Sequence, residues 1–346
     1  MTTFYKFSDS EKNAILSSFE SAGKNQKIGV HDSLGAFYIN QLELLDPIIY
    51  KPLVEVSWSR DVQLRSDVTW AAELLSYRTK AWGLTGNTSG AASVAAGKAL
   101  PYIGINSNTA PEISENYEKS LNQMYRLGYS ISYSDLELES AAMAGVNLDS
   151  EKFDSLQTES QMHVDQVAYI GDVSVGSAGI KGLLNNASVS AASVAGGTWA
   201  TKTADEIVAD VSSAVSACYA NAGFSLMPNK LLLPPAQYML ISYKKVSDAG
   251  NISVLEYLKQ KIVAINGMST NSLEILPCKW LVGRGASAAD RMMLYTNDSS
   301  YVRFPHLPLR GFPPVRGMMD MKRAYAQAVA SVEFIRPQTA IYRDGI

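Results

Sequence analysis

The residues of this chain best suited to metal ligation or nucleophilic chemistry are three histidines and two cysteines, and their spacing supports neither use. His31, His163 and His306 are scattered. None lies three or four residues from another His or Cys, the separation that sets two ligands on one helix face, so no metal site is expected. Cys218 continues the helical repeat of Ile207, Val211 and Val215 and reads as a core residue. With only Cys278 beside it a disulfide framework is excluded, and a reducing compartment is expected. GRGASA, at Gly283 to Ala288, fits a loose dinucleotide-binding pattern, GxGxxA. That pattern must open a helix, whereas the RMMLY that follows is short and strand-like. A nucleotide-using α/β enzyme built on this loop is the reading of another class, and the pattern alone supports it weakly. No nucleophile elbow and no Walker loop occurs. Asp135 and Glu137 fall on a helix surface, where a solvated charge is the default. Lys80 and Lys98 flank a glycine-rich excursion and could join an asparagine of a neighbouring copy, although a solubilising charge is the simpler reading. No catalytic, cofactor-binding or metal-binding residue is assigned, and the chain reads as a non-enzyme.

The elements around these residues are better marked than any site. Asp149 can cap a helix, Leu148 can staple onto Phe153, and apolar residues recur at Phe153, Leu156, Val164 and Val167. This predicts a helix to about Ile170, roughly 30 Å long with a narrow apolar stripe, stopped by Gly171. Upstream, Ser8 and Glu11 could form a capping box. The aromatic and proline-rich stretch from Phe37 to Pro52 reads either as an extended arm lying on another surface or as a strand in its own domain. VEVSW from Val54, the run from Tyr77 to Trp82, and YRLGYSISY up to Tyr133 read as strands around a long Gly/Ala/Ser excursion, Gly83 to Gly104. Ser134 to Gly145 predicts a short helix with a capping box at Ser134 and Glu137.

Beyond Leu184 the run NNASVSAASVAGG reads as a small-residue linker. A helix is then expected from Thr203, with Glu206 completing a capping box, to about Asn221. Strand at Lys230 to Leu233, helix through Tyr243, helix at Val254 to Ile265, and strands at Leu273 to Leu276 and Arg291 to Tyr295 follow, an α/β block over about 200 to 300. Ala324 to Phe334 alternates with period two, and its alanine face is the expected partner of the long helix.

Composition narrows the class. With 346 residues, 47% of them hydrophobic, the chain has ample material for a core. Its formal charge of −3 carries no basic run, which argues against tight direct DNA binding. No apolar run is long enough to span a membrane, and no signal peptide is visible.

In this order the elements resemble the HK97-type major capsid proteins of tailed bacteriophages. The resemblance is carried by AYIGD (Ala168 to Asp172), GIKGLLN (Gly179 to Asn185), TWATKTADEIVADV (Thr198 to Val211), LLLPPAQYMLI (Leu231 to Ile241) and AYAQAVASVEFIRPQTAIY (Ala324 to Tyr342). It implies an α+β HK97-like capsid fold divided into an N-terminal arm (1–53), an E-loop with flanking strands (54–133), a P-domain with its spine helix (134–190), an A-domain (191–300) and strands returning to the P-domain (301–346). It also implies a homo-oligomer of pentamers and hexamers in an icosahedral head shell. That shell would enclose double-stranded DNA without reading its sequence, with a portal and possible scaffold or cement proteins as partners. The implied location is the virion capsid, assembled in the bacterial host cytoplasm. No charged helical scaffolding segment precedes the arm, so a separate scaffold or none is implied. The alternative on the same fold is an encapsulin-type compartment shell.

Overall fold

The computed structural model describes residues 52–85, 112–144, 148–175, 179–246, 252–265 and 273–346. The chain divides after Leu53 into two units, of which Val54–Ile346 is described below. The expected capping box at Ser8, the arm from Phe37, His31, Lys98 and the excursion beyond Thr85 lie outside the described residues.

In chain order the unit opens with a single helical turn, α1 (Trp58–Asp61), and a short strand β1 (Gln63–Leu64). Two long antiparallel strands follow, β2 (Leu74–Thr85) and β3 (Glu112–Ser134), then helices α2 (Asp135–Ala144) and α3 (Leu148–Tyr169). Short strands β4 (Gly171–Asp172), β5 (Ile180–Lys181) and β6 (Ser190–Ser193) lead to helix α4 (Ala204–Asn221). Strand β7 (Lys230–Leu233), helices α5 (Pro235–Tyr243) and α6 (Val254–Ile265), and strands β8 (Glu274–Pro277) and β9 (Arg291–Tyr295) complete the α/β block. The chain finishes in β10 (Val302–Phe304), β11 (His306–Gly311), β12 (Val315–Arg316), β13 (Asp320–Ala330), β14 (Glu333–Phe334) and β15 (Ala340–Asp344).

Helix α3 ends where the periodicity and Gly171 place its end, but it begins at Leu148, so Asp149 lies one residue inside it rather than at its cap. Its buried stripe is Leu156, Ser160, Val164, Val167 and Ala168, whereas Phe153 is 38% exposed and only leans on the Tyr325 ring, 5.7 Å away. The stripe lies on a sheet ordered β11–β13–β3–β2. Pairing Tyr325 with Tyr129, Gln327 with Leu127 and Val329 with Tyr125 places these residues on one face, and Gln327 donates to the Ser160 carbonyl at 3.4 Å. This reverses the expected parity of β13. Val329 joins the core of Val164 and Ala168, while Ala328 and Ala330 face the other way, onto Val68, Leu75 and Met124. The period was legible but its polarity was not, because a strand with Tyr, Gln and Val opposite Ala can bury either side.

The second sheet, β6–β15–β9–β7–β8, separates two cores. On one face Leu231, Leu233, Leu294 and Ile341 meet Ile207 and Val211 of α4, Ile241 of α5 and Leu258 of α6. On the other, Leu232, Met293, Tyr295 and Tyr342 meet Val164 and Ala168 of α3 with Leu183 and Leu184. Strands of alternating allegiance explain why KLLL is buried at every position.

Two further expectations change. VEVSW does not form a strand, because the Ser57 and Trp58 amides both donate to Asp165 Oδ1, at 2.8 and 2.9 Å, and are not free for a ladder. The small-residue linker after Leu184 contains β6, a strand created by parallel pairing with β15 rather than by its own weak propensity. Within 301–346, β11 and β13 lie in the sheet under α3, and β15 sits between β6 and β9.

Candidate assembly surface

The motif AYIGD…GIKGLLN is a helix stop built from two backbone segments in contact. The last carbonyls of an α-helix lack partners within it. Here the Ala168 carbonyl accepts from Leu183 N at 2.8 Å, Tyr169 from Leu184 N at 2.9 Å, and Ile170 from Asn185 Nδ2 at 2.5 Å. Asn185 Oδ1 returns to Gly182 N at 2.7 Å. Gly171, with φ +74°, must be glycine twice over, since a Cβ there would overlap the Ile180 carbonyl, and one at Gly182 would overlap that of Tyr169. The stop fixes the end of α3 against the second sheet.

From this frame β2 and β3 run outward as a ribbon. Pairing continues from Leu74–Gln123 to Thr85–Glu112, while β13 leaves β3 at Met124, opposite Ala330. The Asn122 amide closes that ladder, donating to the Ser331 carbonyl at 2.8 Å and accepting from Ser331 N at 3.2 Å. Beyond it, among the described residues, the ribbon has two strands, and Tyr77 near its base donates to the Phe334 carbonyl at 3.3 Å. Ile113, Tyr117 and Leu121 lie on one face of the ribbon, Ile113 with 70% of its surface in solvent. Lys80 bridges Glu115 at 2.5 Å beside Tyr117, whose hydroxyl donates to the same carboxylate at 2.7 Å. The Lys80 and Tyr117 bonds hold that carboxyl below its usual range.

A second exposed apolar group gathers at the far end of the same sheet. Val315, Met318 and Met319 stand in solvent between β11 and β13, Met318 at 99%, beside Leu136 of α2. The two segments are joined by Asp135 N donating to the Met319 carbonyl at 3.1 Å and by Arg316 with Asp135 at 3.5 Å. These patches lie at opposite ends of a long, thin sheet, and exposed apolar surface of this kind marks interaction sites. Among the described residues no helix is long and apolar enough to cross a membrane.

The chemically suggestive residues are held in structural roles. His163 stacks on Tyr129 with its Nδ1 2.8 Å from the hydroxyl and its Nε2 3.2 Å from Glu159. His306 is buried and lies far in sequence from it. Cys218 and Cys278 are buried, and loss of hydration pushes each thiol up to about 12, far from a reactive thiolate. The GRGASA loop already carries anions: Asp344 accepts Ala286 N at 3.0 Å and Asp290 accepts Gly283 N at 2.9 Å. A phosphate approaching those amides would meet two carboxylates, which removes the rationale for a nucleotide there. Glu137 pairs with Lys152 at 2.7 Å. Among the described residues no three His, Cys, Asp or Glu side chains are placed to hold a metal.

Sequence reasoning passed over the buried charges. Asp61, Asp165, Lys230, Glu333 and Asp344 are all buried. Glu333 binds Arg65 at 2.8 Å and Arg303 at 2.7 Å, and Arg291 grips Asp344 at 2.6 and 3.0 Å. The available signal was slight: Asp165 sits beside two stripe residues, Val164 and Val167, and Lys230 opens an apolar strand.

Comparison with known proteins gives one family. Residues 98–346 match the family described as "Major capsid protein". Among solved structures the chain is similar to the capsid of Myoviridae phage XM1, with a TM-score of 0.72 at 16% identity, covering 88% of this chain and 97% of that one. It is also similar to a structure from Mycobacterium phage Bobi, with a TM-score of 0.56 at 12% identity and coverages of 88% and 96%. The capsid of an empty GTA particle aligns with a TM-score of 0.53 at 11% identity and coverages of 92% and 99%. No curated protein matches by sequence. At these identities the structures speak for the fold alone, an HK97-like α+β fold.

Proposed function

The chain belongs to the major capsid protein family, and from that membership we propose that it self-assembles into the pentamers and hexamers of an icosahedral phage head enclosing double-stranded DNA. The observation that carries this beyond the family is the β2–β3 ribbon. A two-stranded ribbon is marginal in water, and this pair displays Ile113, Tyr117 and Leu121 to solvent. Such a ribbon gains stability by lying on another copy, and repeated contacts between unlike surfaces close into rings. In this reading 1–53 is the arm, 54–133 the E-loop with its strands, 134–190 the P-domain around α3, 191–300 the A-domain, and 301–346 the return. The A-domain sheet borrows β15 from that last segment. A portal, and scaffold or cement proteins, are the partners that such a shell requires or admits, and assembly takes place in the bacterial cytoplasm. A wall confines DNA without base contacts, which suits a chain of formal charge −3.

The test is expression of the full chain, alone and with the structural proteins encoded beside it, followed by sedimentation and electron microscopy. Closed particles, with nuclease-protected DNA in complete virions, are expected. Protein that stays monomeric under every assembly condition, with no particle seen, would overturn the proposal.

A further inference from the structure

Residues 57–65 cross α3 and the edge of the second sheet, where Val62 is buried in the core beside Trp58 and a set of polar contacts grips the rest. Asp165 has no solvent exposure, yet its carboxylate serves two distant chain segments. Oδ1 accepts the Ser57 and Trp58 amides, at 2.8 and 2.9 Å, and Oδ2 accepts Trp280 Nε1 at 2.7 Å. Lys279 Nζ lies 3.6 Å from Oδ2 and donates to the Glu55 carbonyl at 2.6 Å. One helical turn on, the Tyr169 hydroxyl is 3.0 Å from Ser57 Oγ and donates to Asp61. Asp61, also without exposure, is held by Arg60 at 2.8 Å and Lys230 at 3.3 Å. The main chain is gripped too, since Lys230 Nζ donates to the Arg60 carbonyl at 2.6 Å and Tyr295 to that of Asp61 at 2.5 Å. Immediately before these contacts Leu53 is fully in solvent.

We propose that Asp165 and Tyr169, four residues apart on α3, form an anchor that fixes where residues 1–53 depart from the folded unit, so that a pull on those residues is delivered to α3 and the second sheet. Opening the anchor leaves the buried Asp165 carboxylate without the Ser57 and Trp58 amides, which makes release all-or-none rather than gradual. A load arriving through residues 1–53 rests on the shell reading; the anchor itself does not.

The full chain, kept unassembled at low concentration, is exposed to a glutamyl endopeptidase. Cleavage after Glu55 is compared with cleavage after Glu118 in the ribbon, for the native chain, Asp165→Asn and Trp280→Phe. Cleavage at Glu55 is expected to rise roughly tenfold to a hundredfold in Asp165→Asn and several-fold in Trp280→Phe, with the rate at Glu118 and the near-ultraviolet dichroism unchanged. An unchanged rate at Glu55, or equal acceleration at both sites, would show Asp165 to be an ordinary core residue and overturn the anchor. If Asp165→Asn does not fold, Trp280→Phe is judged by the same two outcomes. Particles of Trp280→Phe are then expected to fall apart at lower denaturant than native ones. If the native chain forms no particle, the shell reading fails while the cleavage result still decides the anchor.

Discussion

His306 stacks parallel to Phe304 with ring centres 6.0 Å apart and meets the edge of Trp58 at 5.3 Å. Its Nε2 has no hydrogen-bond partner among the described residues, and burial pushes the imidazole down to about 4. An unfolded histidine titrates near ~6.5, so between the two values the unfolded chain binds a proton that the folded chain refuses. This contribution is complete above the unfolded value and is lost as the pH falls toward 4, by roughly 3 kcal/mol. His306→Phe should flatten that slope. Urea midpoints measured between pH 7 and 4 test it, and an equally steep decline in the variant would refute the assignment. The glycines of the helix stop give a second residue-scale expectation. Gly182→Ala forces backbone against the Tyr169 carbonyl and should cost about 2–4 kcal/mol by denaturant unfolding. Gly128→Ala, with nothing within 4 Å of the added carbon, should be close to neutral.

Elements were legible where a local rule sufficed. The capping box at Thr203 and Glu206 is present in both directions, with Thr203 N donating to Glu206 at 2.7 Å and Glu206 N to Thr203 Oγ1 at 3.4 Å. Thr203→Ala should lower stability by about 1 kcal/mol in chemical unfolding. The limits of α4, α5, α6, β7 and β9 likewise follow from caps, prolines and short apolar runs. What failed was whatever a distant partner decides. β6 exists because β15 lies beside it, residues 54–58 are diverted by Asp165, and the face of β13 that meets α3 is chosen by Leu156, Ser160 and Val164. The same correction moves the sensitive position on α3. Phe153→Asp should fold, losing about 1 kcal/mol or less, whereas Val164→Asp should leave no folded protein in solution, since it places an unpaired charge in a sealed core. Near-ultraviolet dichroism of the two proteins distinguishes these outcomes.

For the whole molecule, a residue pattern pointed to a family before any site could be built, because the features that identify a shell protein are extended surfaces rather than clustered reactive groups. The ribbon announced itself through length and the helix stop through GLLN, but the apolar end around Met318 did not stand out in a proline-broken stretch. On the proposed function, Ile113→Asp with Tyr117→Asp should leave the monomer's thermal unfolding within about 1 kcal/mol of native, since both side chains are exposed. The same pair should abolish particles in sedimentation, and particles at native yield would remove the ribbon from the contact.

Strand β15 is the last of its sheet to be translated and lies inside it, parallel to the edge strand β6 and antiparallel to β9. Until residues 340–344 emerge from the ribosome, β6 has nothing to pair with and the apolar faces of Ile341 and Tyr342 are missing from both cores. A chain cut short by premature termination before residue 340 leaves β6 without β15 and both cores without Ile341 and Tyr342, and it is expected to unfold at lower denaturant than the full chain. The order of the strands makes completion of both cores wait on residues 340–344.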